Sequence, residues 1–110
     1  MLTYLNSPAN ISGSYKNEDE VGGALRKWLV DNPEMKRSDI FITTKVWPQN
    51  MEPEDVEWSL NDSLQKLGVD YVDAFLIHWP FAVERTEDHQ VKLNNDGKVR
   101  HCKLFMRTIH

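Results

Sequence analysis

The sequence predicts an α/β fold in which two helices connect parallel strands, a βαβαβ run. Three observations predict it. Apolar residues recur at helical spacing over residues 21–29 and again over 56–67. Two short segments, 40–44 and 71–77, are apolar on both faces, the pattern of parallel strands covered on both sides. The order helix, strand, helix, strand, after a possible first strand, calls for right-handed crossovers in a parallel sheet.

Composition bounds what such a chain can do. Its 110 residues suit about one small domain. They are too few for a complete (β/α)8 barrel, which takes about 250 residues. The formal net charge is −4, with no basic run, which argues against nucleic acid or an anionic membrane as main partner. The longest mostly apolar stretch, residues 75–83, is interrupted by His78 and Pro80 and is far short of the roughly 20 residues that span a bilayer. Residues 1–6 lack the basic head and apolar core of a signal peptide. A single cysteine, Cys102, excludes an internal disulfide framework and a cysteine-based zinc site, and it has no evident base partner. The expected compartment is the reducing cytoplasm.

The elements follow in order. Residues 1–14 are turn-like at Ser7-Pro8-Ala9-Asn10 and Ser12-Gly13-Ser14, so the segment reads as irregular and any first strand in it as short. The first helix starts at Asn17, an N-cap with Glu20 as reciprocal capping partner. Glu18, Asp19 and Glu20 place negative charge at its N-terminus, where the dipole favours it. Val21, Ala24, Leu25, Trp28 and Leu29 form one face. Gly22 and Gly23 weaken the helix and suit a site where another backbone comes close. Asn32-Pro33 ends it. After strand 40–44, Pro53 suits a first helical position. Val56, Leu60, Leu64 and Leu67 mark the second helix face, and Gly68 is its C-cap. The strand over 71–77 stops before Pro80. From Glu84 the pattern fades into a long loop with a turn at Asn94-Asn95-Asp96-Gly97, then a weak tail. The expected division is 1–14 irregular, 15–83 ordered domain, 84–110 loop and tail.

Polar residues stand where strands end. Lys45 follows one strand, His78 follows the next, and Tyr15 lies just before the first helix, where a preceding strand would end. Strand C-terminal ends of a parallel sheet share one rim, where sites are built. Trp47 and Trp79 flank the lysine and histidine as apolar walls. The three polar side chains suit carbonyl chemistry. A nearby ammonium lowers the high pKa of a phenol, which then donates a proton to a developing alkoxide. A histidine N–H orients the carbonyl. None of them carries a hydride, so reduction needs a cofactor. Spacing alone leaves the bland readings open: a surface tyrosine, a solvated lysine, a core histidine and packing tryptophans. The four histidines show no metal spacing, and no metal is expected.

The motifs themselves go further. Tyr15-Lys16-Asn17-Glu18-Asp19-Glu20-Val21-Gly22-Gly23-Ala24-Leu25 resembles the Y-x-N-E-x-x-V-G-x-A-L segment of the aldo-keto reductases. Residues 39–47 resemble their lysine-bearing strand. Ser59-Leu60, Leu67-Gly68 and Asp70-Tyr71-Val72-Asp73 match the next helix and strand start, and Leu76-Ile77-His78-Trp79-Pro80 resembles the histidine strand end. The resemblance covers about residues 10–83. It implies a partial (β/α)8 TIM barrel of about three βα units, and NADPH-dependent, less often NADH-dependent, reduction of aldehydes and ketones. It implies catalytic roles for Tyr15 as proton donor, Lys45 as the group that lowers its pKa and His78 as carbonyl orienter. It places Trp47, His78 and Trp79 against the substrate.

Two departures from the family pattern carry expectations of their own. The family's aspartate position, five residues before the tyrosine, holds Asn10, which supplies no charge to hold Lys45. The family's S-N-F strand, I-P-K-S-type phosphate-binding region and variable C-terminal loop have no counterpart here, so no cofactor-binding residue is assigned. The chain thus reads as the N-terminal third of a reductase, with little or no turnover alone. The alternative is a non-catalytic product acting through protein–protein contact, with self-association through exposed sheet edges.

Overall fold

The computed structural model describes residues 9–10 and 17–101. The elements run β1 (Ala9–Asn10), α1 (Glu18–Asp31), β2 (Ile42–Val46), α2 (Pro53–Leu67) and β3 (Ala74–Ile77). The strands form one sheet in the order β1-β2-β3, with both pairings parallel. Asn10 pairs with Thr43, Lys45 with Leu76 and Val46 with Ile77. The helix–strand alternation expected from the sequence is therefore the topology.

Asn17 does precede α1, but its side chain makes no capping hydrogen bond, contrary to the predicted capping box. Its ψ of 4° is not the extended cap conformation that aims the side chain at the first-turn amides. Gly22 fulfils the close-approach expectation: a Cβ there would stand 2.5 Å from the Lys66 carbonyl oxygen and 2.7 Å from that of Leu67. Gly23 does not share this constraint, since its nearest neighbour would be Arg26 Nη2 at 3.9 Å. Pro53 opens α2, and Gly68, at φ 68°, closes it in the left-handed conformation with its N–H donating to Leu64.

β3 is shorter than predicted, starting at Ala74 rather than Tyr71, while β2 keeps its predicted length but runs over 42–46 instead of 40–44, and one arginine sits at the start of both segments. Arg37 donates to the Ile40 carbonyl at 2.6 Å and to the Tyr71 carbonyl at 2.7 Å, and its guanidinium lies over the Tyr71 ring. It also bridges to Asp73 Oδ2 at 3.0 Å, and that same oxygen accepts the Ile42 N–H at 2.8 Å. Side-chain bonds thus occupy the Ile40 and Tyr71 carbonyls, and the backbone pairing of the two segments opens with the Asp73 N–H donating to the Ile42 carbonyl at 2.9 Å. The Ile42 N–H first, and Arg37 with it, hold the Asp73 carboxyl below its ordinary pKa, against the opposing cost of burial.

The apolar core centres on Ile42 and Leu67, both essentially inaccessible, with Val21, Leu25, Ile40, Val69 and Val72 packed around them. Ala24, on the predicted inner face of α1, is exposed. β2 is buried almost throughout, as its two-sided apolar pattern predicts. β3 differs: Leu76 is 48% and Ile77 61% exposed. Among the described residues no strand pairs with the edge of β3 away from β2. The segment beyond Glu84 folds back through antiparallel bridges Val83–His101, Arg85–Val91 and Leu93–Val99, with Gly97 at φ 77° in the anticipated turn. Its base is anchored by the Val83 N–H on the Pro48 carbonyl and by Arg85 on buried Asp55.

Two measurements check this account. Unfolding by urea will show Gly22→Ala destabilised by roughly 1–3 kcal/mol, because two backbone carbonyls cannot yield. Gly23→Ala will be neutral or stabilised by up to about 1 kcal/mol, because space is open and alanine favours helix. Asp73→Ala will cost roughly 1–3 kcal/mol by stranding the Ile42 N–H. Because the Asp73 pKa is depressed in the fold, its contribution is full above the ordinary carboxyl value and fades as pH falls below about 4. An Asp73→Asn variant will lose that acid dependence.

Candidate active-site rim

β2 and β3 bring the candidate residues to one edge of the sheet. Lys45 is the penultimate residue of β2, one register position from the end of its pairing with β3. His78 follows β3 directly, and its backbone N–H donates to the Val46 carbonyl at 3.1 Å, extending the ladder by one residue. That bond sets the imidazole beside Trp47, with ring centroids 4.1 Å apart and planes tilted by 58°. Trp79 meets His78 edge-on at 5.5 Å and is half exposed. Lys45, Trp47, His78 and Trp79 therefore share the C-terminal rim, as the spacing predicts. Tyr15 lies outside the described residues, as does Cys102, and the side chain of Asn10 is likewise not described.

Electrostatics at the rim follow from this placement. Burial first, and the neighbouring Lys45 ammonium second, push the His78 pKa below its ordinary value. At neutral pH the imidazole is therefore uncharged and presents one N–H donor and one acceptor nitrogen. Trp47 contributes an indole N–H that is buried without a partner among the described residues.

A cavity of about 320 Å³ opens beside the rim, lined among others by Lys45, Trp47, Ser63 and His89. The loop beyond β3 forms one wall. His89 takes a left-handed backbone conformation, φ 61°, and its ring lies flat on Trp58, centroids 3.4 Å apart and planes 2° apart. Its Nδ1 is 3.1 Å from Asn50 Oδ1. Sequence reasoning left His89 in a weak tail and Trp58 unremarked, because nothing in local spacing links residues so far apart. It also took Glu18 for helix-dipole charge. In the structure Glu18 is 2% exposed and accepts hydrogen bonds from Thr44 Oγ1 at 3.0 Å and Ser63 Oγ at 3.1 Å. The available signal was a pair of hydroxyl residues at positions the strand and helix patterns mark as inward.

With this geometry in place, comparison with known proteins identifies the class. The family model described as "Aldo/keto reductase family" matches residues 8–104. The chain belongs to the aldo/keto reductase family. It is 56% identical over 84 residues to the glycerol 2-dehydrogenase (NADP(+)) of Hypocrea jecorina, covering 76% of this chain and 26% of that protein. It is 53% identical over 86 residues to the D/L-glyceraldehyde reductase of the same organism, covering 78% and 26%. The chain thus spans about a quarter of the length of these curated relatives. Among solved structures it is similar to the aldose reductase of Schistosoma japonicum, with a TM-score of 0.77 and 30% identity over 91% of this chain and 35% of that one.

One pH measurement tests the rim directly. Because His78 protonates less readily in the fold than when unfolded, its contribution to stability is full above about pH 6.5 and is lost as pH falls through its lowered folded value. An imidazole proton titration by NMR, assigned with His78→Asn, will give a midpoint below that of a free histidine. In Lys45→Met the midpoint will rise part of the way back, burial supplying the remainder.

Proposed function

We propose that the chain carries the proton-handling rim of a carbonyl reductase that uses NADPH, with NADH the lesser alternative, to convert aldehydes or ketones to alcohols. Its βαβαβ unit is read as about three βα units of a (β/α)8 barrel. The observation that carries this reading is the shared rim: Lys45 at the end of β2, and His78 bonded to the next residue of that strand, stand where the family's lysine and histidine motifs fall. The two Hypocrea jecorina relatives, a glycerol dehydrogenase and a glyceraldehyde reductase, favour small hydroxylated carbonyl substrates.

In this reading Tyr15 donates the proton to the developing alkoxide, and Lys45 lowers the pKa of that phenol. His78, held neutral, donates its N–H to the carbonyl oxygen and so orients the substrate. Trp47 and Trp79 wall the substrate. The donor set fits a reduced nicotinamide: it moves protons and steadies charge but offers no hydride, which the cofactor supplies when bound. Residues for the cofactor's adenosine phosphate are not assigned in this chain.

A second reading has its own observation. Leu76, Ile77 and Trp79 are exposed apolar residues on or next to β3, whose outer edge pairs with no strand among the described residues, which suits protein–protein contact, including self-association. The two separate by assay. Whatever NADPH oxidation with glyceraldehyde the chain supports will be lowered roughly 10²–10⁴-fold by Tyr15→Phe, with Lys45→Met comparable. Asn10→Asp will raise activity if a charge beside the lysine is limiting. An absence of turnover in both the Asn10 and Asn10→Asp forms, expected of the chain alone, puts the limit outside residue 10; concentration-dependent association abolished by Ile77→Lys would favour the contact reading.

A further inference from the structure

Glu18 is the most deeply buried charged side chain of the described residues, and none of the roles above uses it. Removing a carboxyl group from water carries a large desolvation cost, which an apolar side chain at the same place would avoid. Its partners are two uncharged hydroxyls, both on Oε1, while Oε2 has no partner among the described residues. A buried charge of this kind adds little stability over an apolar side chain of the same shape, which turns attention to what its hydrogen bonds hold in place. The two donors identify what it positions. Ser63 lies on α2, and Thr44 is the wholly buried neighbour of Lys45 on β2. Thr44 meets the helices through its hydroxyl, while Lys45, the next residue, reaches the cavity at the strand end. Thr44 is β-branched and stiff at χ1, so holding its hydroxyl holds the backbone on which Lys45 stands.

We propose that Glu18 is a positioning residue: by accepting the hydroxyl hydrogens of Thr44 and Ser63 it locks the end of β2, and with it Lys45, against the first turn of α1 and the middle of α2. The inference rests on the reading of Lys45 as part of a carbonyl-reducing rim. Glu18 also stands three residues after Tyr15 in the chain, so one buried group ties the start of α1 to the lysine strand.

The experiment compares Glu18→Ala, Glu18→Gln and Thr44→Val with Val21→Ala, a core change on the same helix that touches neither hydroxyl. Two readouts are taken in the intact protein: steady-state reduction of glyceraldehyde with NADPH, and the His78 imidazole midpoint by NMR, calibrated by the shift in Lys45→Met. Glu18→Ala is expected to lower kcat roughly 10–100-fold with KM little changed. It should also raise the His78 midpoint by part of the Lys45→Met shift. Glu18→Gln, which keeps an acceptor oxygen in place, restores both, and Val21→Ala lowers the melting temperature while moving neither. The proposal is overturned if Glu18→Ala matches Val21→Ala in both readouts, or if Glu18→Gln fails to rescue. Should Glu18→Ala not fold, Thr44→Val, which removes one hydroxyl at nearly constant shape, decides by the same two readouts. If the unaltered chain shows no turnover, the result expected of it alone, the kinetic readout drops out. The midpoint alone then decides: unmoved in Glu18→Ala and Thr44→Val, it reduces Glu18 to a core contact.

Discussion

Everything in this fold leans on the burial of β2. A central parallel strand must pair its backbone on both edges and cover both faces, since buried amides and carbonyls left alone are costly. β1 and β3 supply the edges. The two helices, meeting at Gly22 where backbone carbonyls replace a side chain, supply a cover for one face. Even the first amide of the strand is accounted for, since the Asp73 carboxylate takes the Ile42 N–H while the Asp73 N–H donates to the Ile42 carbonyl.

Along β2 the packing changes character. Near its start, Ile42 meets Leu67 in a cluster of aliphatic side chains. Two residues on, Thr44 meets Glu18 and Ser63, and the neighbouring turns of α2 bury Ser59 and Asp55. Apolar contacts tolerate small slips, whereas hydrogen bonds between short side chains admit little lateral freedom. The polar half lies toward the rim. The end of the sheet that carries Lys45, Trp47 and His78 is thus the end joined to the helices by side-chain hydrogen bonds.

The loop beyond β3 extends this arrangement over the cavity. Arg85 on buried Asp55, and the stacking of His89 on Trp58, seat the loop on the first turns of α2. A wall of the cavity is therefore built by residues that follow the histidine strand end, and its shape depends on pairs joined across more than twenty residues of sequence. By contrast, β3 presents an exposed outer face, and its apolar residues make the sheet edge a surface where further protein can pack.

What the sequence by itself determined is what local sterics and chain order dictate. Pro53 and Gly68 bound α2 because each restricts or permits φ without outside help. Gly97 turns the loop for the same reason. The motif order around Asn17, Lys45 and His78 announced the aldo/keto reductase family, and the βαβαβ alternation placed the lysine and histidine on one rim. Tertiary structure decided the rest. Arg37 binds the Ile40 and Tyr71 carbonyls, where β3 starts later than its apolar pattern suggests and β2 is displaced toward Lys45, an effect hidden in a polar link between elements. The predicted cap at Asn17 made no side-chain bond, and Glu18, which looked like surface charge, went inward. Asp55 and Ser63, on the flank of an apolar stripe, were buried more deeply than Val56, Leu60 or Leu64 of that stripe. These outcomes share one physical reason. A polar side chain's fate depends on whether a partner waits at its destination, and that partner is supplied by chain folded back from a distance, which no local pattern records.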